Sequence, residues 1–149
     1  MGKIMGERTV EIDAPVQRVF DIAADIENAP AWQGSLKSVD VVERDGEGRP
    51  TLVNTTNDAK VKTVTNRLRF SYNAPGEIRW EQEKGDVKSL VGHWTLEDLG
   101  GERTRATYAL EVDPGRMLGL LIRGPVEGQV REFLLGNAAA GLKRTAETG

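Results

Sequence analysis

Apolar residues alternate from Leu90 to Val112 in two runs joined by Gly100-Gly101, the pattern of a long antiparallel hairpin. Leu90, Gly92, Trp94 and Leu96 share one face of the first run, and Thr104, Ala106, Tyr108, Leu110 and Val112 continue that face on the second. The other face carries His93, Thr95, Glu97, Arg103, Arg105, Thr107 and Glu111, so one side of the hairpin meets water. A face that holds a tryptophan and a tyrosine needs a cover.

The same alternation predicts strands over Glu7 to Asp13, Leu36 to Arg44, Thr51 to Asp58, Val61 to Tyr72 and Glu77 to Lys84. Asp45-Gly46-Glu47-Gly48, Asn73-Ala74-Pro75-Gly76 and Gly85-Asp86 supply the turns. Asp13-Ala14-Pro15 reads as a helix start, and Val16, Val19, Phe20, Ala23 and Ile26 form its apolar stripe. Asn28-Ala29-Pro30 is expected to break that helix, with a second short turn through Ala31, Trp32 and Gln33. After Asp113-Pro114-Gly115 comes an apolar lip from Arg116 to Gly124, and Pro125 opens a long helix. Val126, Val130, Phe133, Leu134, Asn137, Ala138, Gly141 and Leu142 are its expected stripe, and this helix is the missing cover.

These elements describe an antiparallel meander of about seven strands after an early helical excursion. Gly128, Gly136 and Gly141 lie inside the last helix, where each costs about 1 kcal/mol relative to alanine. Close packing on the sheet is the expected reason at Gly141; at the other two, packing and room for a guest both stay open.

Composition narrows the classes of function. At 149 residues the chain suits one domain, residues 1–149, with a substantial core. Its 20 basic and 23 acidic residues are mixed without a basic run, so nucleic acid is not an expected partner. Without cysteine there is no thiolate nucleophile or cysteine-based metal site, and a cytoplasmic location fits. The opening MGKIMGERTV has no signal-peptide core, and MLGLLI from Met117 is too short to span a bilayer, so a soluble protein is expected. Gly6 stands where a myristoylation motif at Gly2 would want Ser or Thr.

A sheet curled around one helix offers more inner surface than the helix fills, so a pocket for a hydrophobic small molecule is expected. Such pockets measure roughly 300 to 1,000 Å³ and are mostly apolar. Trp80, Trp94, Tyr108 and Phe133 are the expected walls, and Gln82, Asn137 and the Tyr108 hydroxyl the orienting groups. Trp32, Val41, Asn66, Leu68, Phe70, Leu96, Leu110, Val130 and Leu134 complete the expected lining. A filled core is the competing reading at about even weight.

On the strand from Val61 to Tyr72, Val64, Asn66, Leu68, Phe70 and Tyr72 should face inward, with Thr63, Thr65, Arg67 and Arg69 outward. A bulge would reverse part of this and turn Arg69 in. His93 is the single histidine and lies on the polar face, so neither a Ser-His-Asp triad nor a multi-histidine metal site is expected. No carboxylate pair falls on the inner face, and Gly46-Glu47-Gly48 sits between strands rather than before a phosphate-binding helix.

Three segments carry a family resemblance: EIDAPVQRVFDIAADIENAP, VERDGEG, and GHWTLEDLGGERTRATYALEVDPG. In this order the chain resembles the START and Bet v 1-like superfamily, and within it the polyketide cyclase/aromatase and coenzyme Q-binding group. The resemblance implies an α+β helix-grip fold: a curved seven-stranded antiparallel sheet around a long C-terminal helix, with two short helices between the first two strands. It matches Trp94, which follows His93 as a cavity Trp follows a His in the cyclases, and Tyr108 to cavity residues there, and Arg69 or Arg67 to an arginine that holds a reactive carbonyl or enolate. Ala29 departs from the pattern, which has an aromatic there, and Trp32 is taken to fill that volume.

Three functions follow as expectations. The first is binding of a lipid, quinone or polyketide without chemistry or cofactor. The second is an aldol cyclase in which Arg69 or Arg67 stabilises an enolate and Tyr108 moves a proton. The third is an interaction module with no ligand. A homodimer stays open in each.

Overall fold

A computed structural model describes residues 3–60 and 62–148. The strands are β1 (Ile4–Ile12), β2 (Leu36–Arg44), β3 (Pro50–Asp58), β4 (Thr63–Asn73), β5 (Glu77–Gly85), β6 (Ser89–Gly100) and β7 (Arg103–Asp113). They form one antiparallel sheet of seven in the order β1-β7-β6-β5-β4-β3-β2. From β2 onward each strand pairs with the next in sequence, as short turns dictate. Only β1 is non-local, lying beside the last strand.

Burial follows the sequence alternation most strictly on β7, where Thr104, Ala106, Tyr108, Leu110 and Val112 are buried. Its partner β6 sets Trp94 opposite Tyr108 and Gly92 opposite Leu110. The hairpin closes through Gly100, Gly101 and Glu102, all left-handed at φ 82, 61 and 60°, which two glycines make inexpensive.

β1 begins at Ile4, earlier than Glu7, because pairing with β7 runs from Ile4↔Val112 to Ile12↔Thr104. Exposed Met5 and side-chain-free Gly6 hide that extension from the alternation rule. Gly6 has its own use: a Cβ there would lie 3.0 Å from the Leu135 side chain on the last helix.

Helix α1 (Val16–Ala24) buries Val19, Phe20, Ala23 and Ala24. A 3₁₀ turn, Ile26–Ala31, follows it. This corrects the expected break at Asn28-Ala29-Pro30 and turn at Ala31 to Gln33. Ile26 and Ala29, three residues apart, both face inward, as three residues per turn require.

β4 starts at Thr63, and the expected start at Val61 lies outside the described residues, as does Gly2. The lip is helix α2 (Gly115–Leu121), and the cover is α3 (Pro125–Glu147). α3 is buried on more than the expected stripe. Leu135, Ala139 and Ala146 are buried along with Val130, Ala138, Gly141 and Leu142, whereas Phe133, Leu134 and Asn137 are half-buried. The helix meets β1 and β7 on one side and α1 with the Trp32–Gly34 turn on another, so one amphipathic stripe cannot describe it. Phe20, Ile12, Ile78 and Leu142 lose essentially all contact with water, each contributing about 1.5–3 kcal/mol.

Candidate functional site

The inner face of the sheet gathers nearly every aromatic ring in the chain. Of three Trp, two Tyr and three Phe, all but Phe133 form one continuous band. It runs Phe20–Tyr72 (6.5 Å between centroids), Tyr72–Phe70 (6.4 Å) and Phe70–Trp80 (5.5 Å). It continues Trp80–Tyr108 (5.6 Å), Tyr108–Trp94 (4.7 Å) and Trp94–Trp32 (6.5 Å). Each pair of this kind is worth about 0.5–1.5 kcal/mol beyond its buried area. The band is made possible at Gly92, where a Cβ would sit 2.5 Å from the Trp80 ring.

Between this band, the 3₁₀ segment, α2 and α3 lies a cavity of about 110 Å³. Trp32, Phe70, Trp80, Trp94 and Tyr108 line it, joined by Asn66, Leu68, Leu110, Val130 and Leu134. It is smaller than the roughly 300 to 1,000 Å³ of ordinary ligand pockets because the band occupies much of the inner face. The expected excess of inner surface is real but modest.

Five expected lining residues lie elsewhere. Val41 is half-buried on β2, an edge strand whose only buried side chain is Leu36. Leu96 is buried beyond the cavity rather than on its wall. Phe133 turns to the rim, where the Lys60 ammonium sits 4.3 Å from its ring centroid. Asn137 donates to the Phe133 carbonyl at 2.6 Å and abuts Gly34, so it orients nothing inside. Gln82 stands behind the wall: its Oε1 accepts from Asn66 at 2.6 Å and its Nε2 donates to the Val87 carbonyl at 2.9 Å.

Sequence reasoning missed a polar group of lining residues: Gln33, Ser35, Thr55 and Asn57. Alternation could have found Thr55 and Asn57, since they share the inward parity of Val53, which is fully buried. Gln33 and Ser35 follow the 3₁₀ segment and carry no periodic signal. The far wall includes Pro114, Leu118 and Ile122 of the α2 region. α2 itself packs loosely and leaves Met117, Leu120 and Leu121 in water, with Met117 83% exposed.

The two candidate arginines are on the outer face. An irregularity does occur between β4 and β5, with Arg67 opposite Lys84 and Leu68 opposite Gln82. The extra residue is Glu83 on β5, so β4 keeps its alternation: Val64, Asn66, Leu68 and Phe70 are buried and Arg69 is exposed. Arg69 pairs with Glu43 at 3.0 Å and Glu83 at 2.9 Å, which hold its guanidinium pKa above the ordinary value. Arg67 donates to Asn54 at 2.9 Å. An enolate inside the cavity therefore meets neither guanidinium. Arg69→Ala is expected to leave both ligand affinity and melting temperature unchanged, since exposed pairs contribute little. A titration and a thermal melt check this, and lost affinity would place Arg69 in the site after all.

Burial pushes the Tyr108 hydroxyl well above its ordinary pKa of 10.0, opposed in part by Gln33. At neutral pH it is a neutral hydrogen-bonding group, poorly suited to moving a proton. His93 is half-buried on the outer face, beside Arg79 on β5. There an open trough of about 650 Å³ runs past Glu7, Arg69, Arg79, Glu81, His93 and Glu111. The trough is a shallow, open depression that mixes these charged groups with exposed Met5 and Val91, so the smaller, more enclosed cavity is the candidate site. Among the described residues no three of His, Asp or Glu converge to hold a metal, and no helix is long and apolar enough to cross a membrane.

The family model described as polyketide cyclase/dehydrase and lipid transport matches residues 12–137. No curated protein matches the chain. Among solved structures, a START superfamily protein from Mycobacterium smegmatis superposes with a TM-score of 0.83 at 21% identity, covering 97% of each chain. The Zhui aromatase/cyclase from Streptomyces sp. R1128 gives 0.73 at 20%, covering 97% of this chain and 94% of that one. A major latex-like protein from Panax ginseng gives 0.65 at 14%, covering 96% and 98%. At these identities the likeness establishes the helix-grip fold.

Proposed function

The chain belongs to the polyketide cyclase/dehydrase and lipid transport family, and from that premise we propose that it binds a compact hydrophobic molecule in the cavity without transforming it. The observation that carries this is the lining. Among the described residues its only titratable side chain is Tyr108, held neutral by burial, and the rest is aromatic, aliphatic or amide and hydroxyl. Such a wall desolvates and holds a ring but offers no charge to a developing enolate. Cyclisation has less support, because Arg67 and Arg69 lie across the sheet from the cavity.

A volume of about 110 Å³ suits one small ring system. Room for a longer molecule would come from movement of α2, whose Leu118 closes one wall with Ile122 just beyond it, and whose outer side chains lie in water.

All three tryptophans line the cavity, so ligand binding reports itself as a change in intrinsic fluorescence. Titration with ethylbenzene is expected to quench or shift that emission saturably, and native mass spectrometry to show a bound hydrophobic mass. No response to ethylbenzene or to larger aromatic ligands would reject the proposal.

Affinity for such a neutral ligand should be flat between about pH 5 and pH 9, because nothing on the wall titrates there. Stability has a different limit. Tyr72 and Tyr108 both have pKa values raised by burial, so the folded state favours their protonated forms. That contribution is complete below the unfolded value of 10.0 and is lost as pH rises above it. Melting temperature measured from pH 8 to pH 12 should therefore hold steady and then fall once pH passes about 10.

A further inference from the structure

The cavity has a polar corner, and its hydrogen-bond ledger is one partner short. Asn57 Nδ2 donates to Thr55 Oγ1 at 3.2 Å and to Asn66 Oδ1 at 3.3 Å. Asn66 Nδ2 donates in turn to Gln82 Oε1 at 2.6 Å, and the Thr55 hydroxyl to the Asn66 carbonyl at 3.4 Å. These groups satisfy one another along β3, β4 and β5. Ser35 stands outside this network: it lines the cavity, is 1% exposed, and its Oγ has no hydrogen-bond partner among the described residues.

The surrounding backbone holds that hydroxyl in place. The Ser35 carbonyl accepts from Asp58 N at 2.7 Å, and Leu36 N donates to the Gln33 carbonyl at 3.0 Å, closing the turn. Leu36 pairs with Asn57, which brings Ser35 alongside the amide cluster. On the other side, Gly34 abuts Asn137 and the Trp32 backbone abuts Gly141, so α3 presses this segment toward the sheet. A buried hydroxyl without a partner costs the desolvation of a polar group. A fold that keeps one on a cavity wall has a position ready for a ligand atom.

We propose that Ser35 is the polar anchor of the cavity, and that the molecule bound there is uncharged and presents a carbonyl oxygen to the Ser35 hydroxyl while its apolar body lies along the aromatic band. Charge is disfavoured because the lining holds no Lys, Arg, His, Asp or Glu among the described residues. A carboxylate or ammonium would lose its water without gaining a counter-ion. This assignment rests on the ligand-binding reading above and adds the class of ligand to it.

Three molecules of similar size test it: ethylbenzene, acetophenone and benzoate, each titrated against tryptophan emission at neutral pH. Ser35→Ala is expected to weaken acetophenone about three- to tenfold, the range of one neutral hydrogen bond, and to leave ethylbenzene unchanged. Benzoate is expected to bind the parent protein at least tenfold more weakly than acetophenone, an arm that needs no variant. The melting temperature of Ser35→Ala should equal or exceed that of the parent, since an unpartnered hydroxyl is removed; a purely structural serine would lower it. If ethylbenzene binds but Ser35→Ala shifts both neutral ligands alike or neither, or benzoate rivals acetophenone, the anchor is wrong and the ligand-binding reading survives. If none of the three binds the parent, both fall.

Discussion

Gly141→Ala is expected to melt roughly 4 to 8 °C below the parent chain, the reverse of what alanine does inside an ordinary helix. A Cβ at this position would fall onto the carbonyl oxygen of Trp32 and within 2.9 Å of its carbonyl carbon. The obstacle is backbone on both sides, so no rotamer relieves it. Either α3 lifts from the turn at Trp32 or that turn moves into the cavity. Overpacking of this kind costs about 1–3 kcal/mol and sometimes more, enough to outweigh the propensity gain.

Gly128 supplies the control. Beyond its own turn of helix, nothing among the described residues lies within 4 Å of its added Cβ, so Gly128→Ala should gain about 1 kcal/mol and raise the melting temperature by roughly 2 to 4 °C. At Gly136 the neighbour is the flexible Glu132 carboxylate, 3.0 Å away, which can swing aside. Thermal melts of the Gly128 and Gly141 variants together give the test, and a Gly141→Ala protein as stable as Gly128→Ala would refute the close approach.

The second large effect is at Trp94. Its indole lies between Trp32 and Tyr108, is 3% exposed, and forms part of the cavity wall. Trp94→Ala should cost about 3–5 kcal/mol in urea unfolding, the usual range for emptying a buried aromatic site. Affinity for a ring ligand should fall at least tenfold, because the wall that held it in dispersion contact recedes. Trp32 and Trp80 remain to report binding. A Trp94→Phe variant, which retains a ring, should recover most of the stability and part of the affinity. Unchanged affinity in Trp94→Ala would place the ligand away from the aromatic band.

The elements that could be read from the sequence were those whose signal is local. A strand with one wet face writes its burial into every second residue, which is why β6 and β7 match their expected inward set from Leu90 to Val112. The inward parity of β4 was also legible at Val64, Asn66, Leu68 and Phe70, and the aromatics along it and its neighbours do converge. Phe133, Asn137 and Leu135 were not placed correctly, because α3 is contacted from two directions and a single stripe predicts one. Ser35 and Gln33 escaped for a related reason: a turn has no period, and nothing next to them in sequence says that β3 lies across the cavity.

Arg69 separates the two kinds of information. The sequence by itself determined the antiparallel meander, the greasy face with its rings and the covering helix, because alternation is a property of neighbours along the chain; it left the facing of Arg67 and Arg69 open to a bulge. Only the tertiary structure decided that the irregularity falls at Glu83 of β5 rather than on β4, and so that the arginines stay outside. It alone decided how much of the interior the aromatic band fills, leaving about 110 Å³. It alone decided that, among the described residues, the buried Ser35 hydroxyl is left without a partner. Volume and hydrogen-bond satisfaction are sums over residues distant in sequence, set by how the chain closes on itself.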